Sequence, residues 1–144
     1  MQFEHTVITN ASPDAIWDLW ANVSRWPEWD TELQTAELDG PFELGATGRL
    51  QPQKGPQSAF VISQLEAGRS YTFTTRLFFS RLDVYRFLAQ RDDQTVFTHR
   101  VSFRGPLGFI FGRLLGPGFK CALPSVMKQL ARLAEAAETR SEVF

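Results

Sequence analysis

From Leu33 to Arg104 the chain is cut at short intervals by turn signals, and only strand-length segments fit between them. The signals stand at Asp39-Gly40-Pro41, Gly45, Lys54-Gly55-Pro56, Gly68 and Asp92-Asp93. Residues 32–38, 47–52, 58–66, 70–78, 82–91 and 95–104 read as strands. Residues 2–9, with Thr6, Val7, Ile8 and Thr9, add a seventh. Connections this short favour antiparallel pairing of consecutive strands. Successive strand residues point to opposite faces. Phe97, His99, Val101 and Phe103 therefore share one face of the last strand. Tyr85 shares a face with Phe87, and Tyr71, Phe73 and Leu77 share one on the strand before. These aromatic sets are expected on the concave side, with Arg76, Arg86 and Arg100 on a solvated outer face.

Helices flank the strands. Ser12 suits an N-cap, Pro13 the first helical position and Asp14 the positive end of the dipole, so a helix runs from there to about Asn22. A second helical turn holds Ser24 to Trp29. After Gly105-Pro106-Leu107-Gly108 comes the apolar stretch Phe109 to Leu115, which Gly116-Pro117-Gly118 is expected to interrupt. A long helix follows to about Arg140. Its stripe is Leu123, Met127, Leu130, Ala134 and Ala137, and Pro124 is expected to kink it or mark its start. The fold class is α+β, in one domain over residues 1–144. A seven-stranded curved antiparallel sheet wraps a long C-terminal helix, with two short helices after the first strand. A single helix does not fill such a concavity, which leads to the expectation of an internal apolar cavity.

Composition narrows the partners. With 15 basic and 16 acidic residues the formal charge is −1, so no strong field draws nucleic acid. One cysteine, Cys121, rules out an internal disulfide; it reads as an inert packed thiol. Neither a metal nor a cofactor is expected. The N-terminus lacks signal-peptide character, and no apolar run approaches the about 20 residues that span a bilayer. A cytoplasmic location without stable membrane insertion is the resulting expectation, as a monomer or homodimer.

The order and spacing of several motifs carry a resemblance. Ala11-Ser12-Pro13-Asp14-Ala15-Ile16-Trp17 precedes Trp26-Pro27-Glu28-Trp29-Asp30. Asp39-Gly40-Pro41-Phe42 with Gly45, and Gly105-Pro106-Leu107, follow. In these the chain resembles the START/Bet v 1-like (SRPBCC) superfamily with its helix-grip fold, and within it the bacterial polyketide cyclase/dehydrase and lipid-transport-type members. The resemblance implies a ligand cavity, and it implies that the first and last strands are neighbours, bringing His5 near His99. It does not choose among the carriers, regulators and enzymes of that superfamily.

His99 reads either as a general acid/base in a dry pocket or as a hydrogen-bonded core histidine. Tyr85 and His5 are the tentative assisting groups. Tyr85 reads equally as a ligand anchor or as a strand tyrosine with a wet hydroxyl. Trp26 reads as a pocket rim or as packing. The expected pocket wall is Phe60, Phe73, Leu77, Tyr85, Phe87, Phe97, His99 and Val101. Its expected cover is Phe111, Leu115, Phe119, Leu123 and Met127. Phe109 to Leu115 reads as a glycine-hinged lid, a partner-binding patch or a buried cap. Non-enzymatic binding of an apolar or aromatic molecule, lipid or polyketide-like, is favoured. A cyclase/dehydratase using His99 and a co-chaperone-like interaction module are the alternatives.

Overall fold

A computed structural model describes residues 1–143, with side chains through residue 139. Strand β1 (Gln2–Thr9) is followed by helix α1 (Pro13–Ala21) and a 3-10 helix (Val23–Glu28). Six strands come next: β2 (Leu33–Leu38), β3 (Thr47–Pro52), β4 (Ser58–Glu66), β5 (Ser70–Leu77), β6 (Ser80–Arg91) and β7 (Gln94–Arg104). Helix α2 (Gly108–Val143) ends the described chain. All seven strands form one antiparallel sheet in the order β1-β7-β6-β5-β4-β3-β2. The sheet curls around α2 in a helix-grip fold, as expected.

Local chemistry sets the helix starts. Ser12 caps α1, its Oγ accepting from the Ala15 N–H at 3.2 Å. The far end of α2 is tied to the same corner. Thr9 Oγ1 donates to Glu135 Oε1 at 2.6 Å, and the Ser12 N–H donates to Glu138 Oε1 at 2.6 Å.

Helix α2 departs from expectation at its start. It runs unbroken from Gly108 through the Gly116-Pro117-Gly118 segment and carries both Pro117 and Pro124 inside it. The glycines are there for packing. A Cβ on Gly112 would stand 2.7 Å from Met1 Sδ, and one on Gly116 would collide with the Phe3 ring. Only glycine lets this helix lie so close to β1, and that close packing holds it together across the prolines.

Turn length sets the faces of β6. Leu77 pairs with Ser80, leaving Phe78-Phe79 as a two-residue turn. Odd positions of β5 therefore face even positions of β6: Tyr71 opposes Arg86 and Phe73 opposes Val84. Leu82, Val84, Arg86 and Leu88 thus lie on the concave face, in register with Phe103, Val101, His99 and Phe97 of β7.

Candidate functional site

The concave face is an aromatic interior built around one cation. Trp20 on α1 and Trp26 and Trp29 around the 3-10 helix are fully buried, together with Tyr71 and Phe97. Tyr71 is ringed by Trp17, Trp20, Trp26 and Phe42 at centroid distances of 6.0, 5.7, 6.3 and 5.1 Å. Arg86 stands among them at 4% exposure. Its guanidinium carbon lies 4.7 Å from the Trp26 ring, 4.9 Å from Trp29 and 5.0 Å from Phe73. Guanidinium stays charged in any protein environment. Sequence reasoning placed Arg86 outside because it read three residues into the β5–β6 turn. With two residues there, the face inverts.

The cation is incompletely satisfied. Arg86 Nη1 donates to the Tyr71 hydroxyl at 2.5 Å. Its Nε–H is buried without a partner, and so is the indole Nε1–H of Trp29. Among the described residues no carboxylate forms an ion pair with Arg86. Asp30 is the acidic group that interacts with it, and desolvation raises the Asp30 carboxyl above its usual range while Arg86 pulls the other way. Burial pushes the Tyr71 phenol up to about 12 although Arg86 opposes this, so its hydroxyl stays protonated. A buried donor without a partner costs about 1–3 kcal/mol, more when charged. The two donors lie on neighbouring side chains of the aromatic interior.

His99 lies inside, as its alternation indicated, and is register partner to His5 on β1. Its Nε2 accepts from the Trp20 indole N–H at 3.1 Å, so a neutral ring carries its proton on Nδ1. Burial, then the charges of Arg86 and His5, hold its pKa well below the ordinary value. The lone pair that a general base would use is already occupied by Trp20.

The remaining expected residues divide. Phe60, Phe73, Phe97 and Val101 line the buried concave wall, and Leu123 and Met127 are buried side chains of α2. Leu77, Phe111 and Phe119 are partly buried against that core, and the Phe119 ring lies 6.0 Å from Phe103. Trp26 is core and not rim: its ring packs on Phe60 at 5.8 Å and Phe73 at 5.2 Å. Tyr85 and Phe87 are corrected to the convex face. Their rings pack at 4.9 Å, with the Arg100 guanidinium 5.7 and 5.3 Å above them. Leu115 is exposed and covers nothing inside. Cys121 is exposed as well, not packed.

Trp20, Trp26, Trp29, Tyr71 and Phe97 fill the part of the concavity beneath α1 and the 3-10 helix, whereas the hollow was expected between the sheet and α2. Helix α2 packs on β1 and β7. Leu77 and Leu82 are partly buried near the other strand ends, and Leu82 is in register with Phe103, whose ring lies 6.0 Å from Phe119 on α2. Two open depressions of about 660 and 550 Å³ lie outside, along the convex face, with Ser63, Thr74, Arg81 and Arg104 common to both.

Sequence comparison adds the family. Residues 1–138 match the profile described as polyketide cyclase / dehydrase and lipid transport. The chain belongs to that family. None of the curated proteins compared matches this chain of the family. Solved structures with the same fold include protein MLL2253 from Mesorhizobium loti, at 17% identity and TM-score 0.75, covering 94% of this chain and 98% of that one. Ara h 8.0201 aligns at 13% identity and TM-score 0.72, over 94% and 98%. Truncated norcoclaurine synthase from Thalictrum flavum aligns at 11% identity and TM-score 0.67, over 92% of each chain. At these identities the likeness is one of fold, and this family member's chemistry has to be argued from its own residues.

Proposed function

We propose that this protein binds a small, mainly apolar or aromatic molecule that carries a carbonyl or carboxylate oxygen. The oxygen meets Arg86 and Trp29, and the apolar body extends toward the open strand ends at Leu77, Leu82 and Phe119. The observation that carries the reading is the pair of unpartnered buried donors, Arg86 Nε–H and Trp29 Nε1–H, on neighbouring side chains. A core under selection for stability alone gains nothing from a desolvated, unpaired guanidinium. The family's scope, lipid transport and polyketide chemistry, agrees with an apolar guest bearing few oxygens. Binding without turnover is the favoured form, because His99 is held neutral and is already hydrogen-bonded to Trp20. A cytoplasmic setting belongs to the same reading.

Tryptophan fluorescence tests it, since the Trp26 and Trp29 indoles lie 4.7 and 4.9 Å from the Arg86 guanidinium. The protein is titrated with naphthoate and with methylnaphthalene, which has the same rings without the oxygens. Saturable quenching by naphthoate, tighter by on the order of tenfold or more, is expected from one charge-assisted hydrogen bond in a dry site. Equal affinities, or no saturation with either, would refute the role given to Arg86.

A further inference from the structure

One end of the molecule gathers apolar side chains that the fold does not use. Phe78 and Phe79 form the β5–β6 turn, 70% and 68% exposed, with their rings 4.4 Å apart. Phe79 has φ 48, the left-handed region that a bulky side chain adopts only under strain. A strained aromatic left 68% exposed adds little stability, which points to a use outside the fold. The first turns of α2 show Phe109, Ile110 and Leu114 at 57%, 41% and 72% exposure on one stripe with Arg113. The two features form one surface. The Leu107 N–H donates to the Phe79 carbonyl at 3.3 Å, and Gly105 is packed so tightly on Ser80 that a Cβ there would stand 2.8 Å from its Cα.

The surface is bordered by cations. Arg76, Arg81 and Arg104 line the depression beside Phe79, and Arg113 projects from α2. Asp83 is the carboxylate among them, shared at 3.4 Å by Arg81 Nε and Arg104 Nε, which leaves the group net positive. From Gln94 through Ala134 the sequence holds no Asp or Glu. Two copies meeting through this surface would oppose arginine to arginine, which disfavours self-association. Among the described residues no helix is long and apolar enough to cross a membrane. We infer that this end docks peripherally on an anionic lipid surface, with Phe78, Phe79, Phe109 and Leu114 entering the headgroup boundary and the arginines meeting lipid phosphates. The sequence divides this surface between two segments some thirty positions apart. The inference does not depend on what the interior binds.

Flotation of the full chain with vesicles tests it. The wild type is expected to float with equimolar phosphatidylcholine and phosphatidylglycerol but not with phosphatidylcholine alone. It is expected to be released at about 1 M salt, where screening shrinks to about 3 Å. Phe79→Gly removes the ring and relieves the strained φ, so partition falls by on the order of tenfold while Tm does not fall. Phe78→Ser and Arg76→Glu/Arg113→Glu are expected to lose binding as well. Failure to float with the anionic vesicles overturns the inference, as does flotation unchanged by Phe79→Gly or a drop in its Tm. Association of the wild type by light scattering, abolished by Phe79→Gly and without vesicle binding, would assign the surface to a second copy instead.

Discussion

Replacing Arg86 with methionine and Tyr71 with phenylalanine together probes whether the buried cation serves the fold or a guest. The change removes a guanidinium at 4% exposure, its hydrogen bond to Tyr71 and its contacts with three aromatic faces at 4.7–5.0 Å. The hydrogen bond is worth about 1.5–3 kcal/mol, and the cation–π contacts about 1–2 kcal/mol together. Against these stands the desolvation of the guanidinium, several kcal/mol, which already includes the cost of the orphaned Nε–H. Methionine keeps much of the volume and adapts to an irregular space. Removing the phenol together with the cation leaves no hydroxyl stranded. The sum favours a double variant as stable as the wild type, or more stable by about 1–3 kcal/mol. Urea unfolding followed by tryptophan fluorescence reads this directly, and the single variants complete a double-mutant cycle. Tyr71→Phe alone is expected to be destabilised, because it strands a second Arg86 donor. A double variant weaker than the wild type by more than about 3 kcal/mol would show that the cluster is a stability element, and the argument for a guest would fail.

Other expectations follow from packing and ionisation. Gly116→Ala drives a methyl into the Phe3 ring and should cost about 1–3 kcal/mol in chemical denaturation, although alanine is the better helix former. Ser12→Ala removes the α1 cap and should cost about 1 kcal/mol by the same assay. His99 has its folded pKa depressed, so the unfolded chain takes up the proton first. Stability should fall as pH drops below about 6.5 until the folded value is reached, by at most about 1.4 kcal/mol per pH unit. Asp30, with its folded pKa raised, works in the opposite direction, favouring the fold as the carboxyl protonates as pH falls. In an Asp30→Asn background, which removes the opposing titration, a stability profile flat between pH 6.5 and 5 would contradict the depressed pKa of His99.

Much of the architecture was legible because turns carry their own chemistry. Glycine, proline and paired aspartates fixed the strand limits to within a residue or two, and β7 displayed its buried face through Phe97, His99, Val101 and Phe103. The adjacency of His5 and His99, implied by family resemblance, is the β1–β7 register itself. The site was not legible for one local reason. Phe78-Phe79 carries none of the usual hairpin-turn residues, so its length was read as three, and that single residue turned Tyr85 inward and Arg86 outward. Leu82, Val84 and Leu88 share a parity with Arg86, and that alternation was the available signal. The Gly116-Pro117-Gly118 segment misled for a different reason. Glycine reads as a breaker unless the partner surface, here Met1 and Phe3, is known. An arginine within an aromatic cage leaves no local trace, since its three neighbouring rings come from the 3-10 helix, its flanking turn and β5.

The indole and guanidinium N–H resonances, recorded by nitrogen-15 NMR during titration with naphthoate, test the central claim most directly. Trp20 and Trp26 already donate, to His99 Nε2 and to the Trp20 carbonyl at 2.9 Å, and serve as internal controls. The account predicts that the Trp29 Nε1–H and Arg86 Nε–H signals move downfield together and saturably, with larger shifts than those of Trp20 and Trp26. Saturable binding that leaves Trp29 and Arg86 unmoved would contradict it.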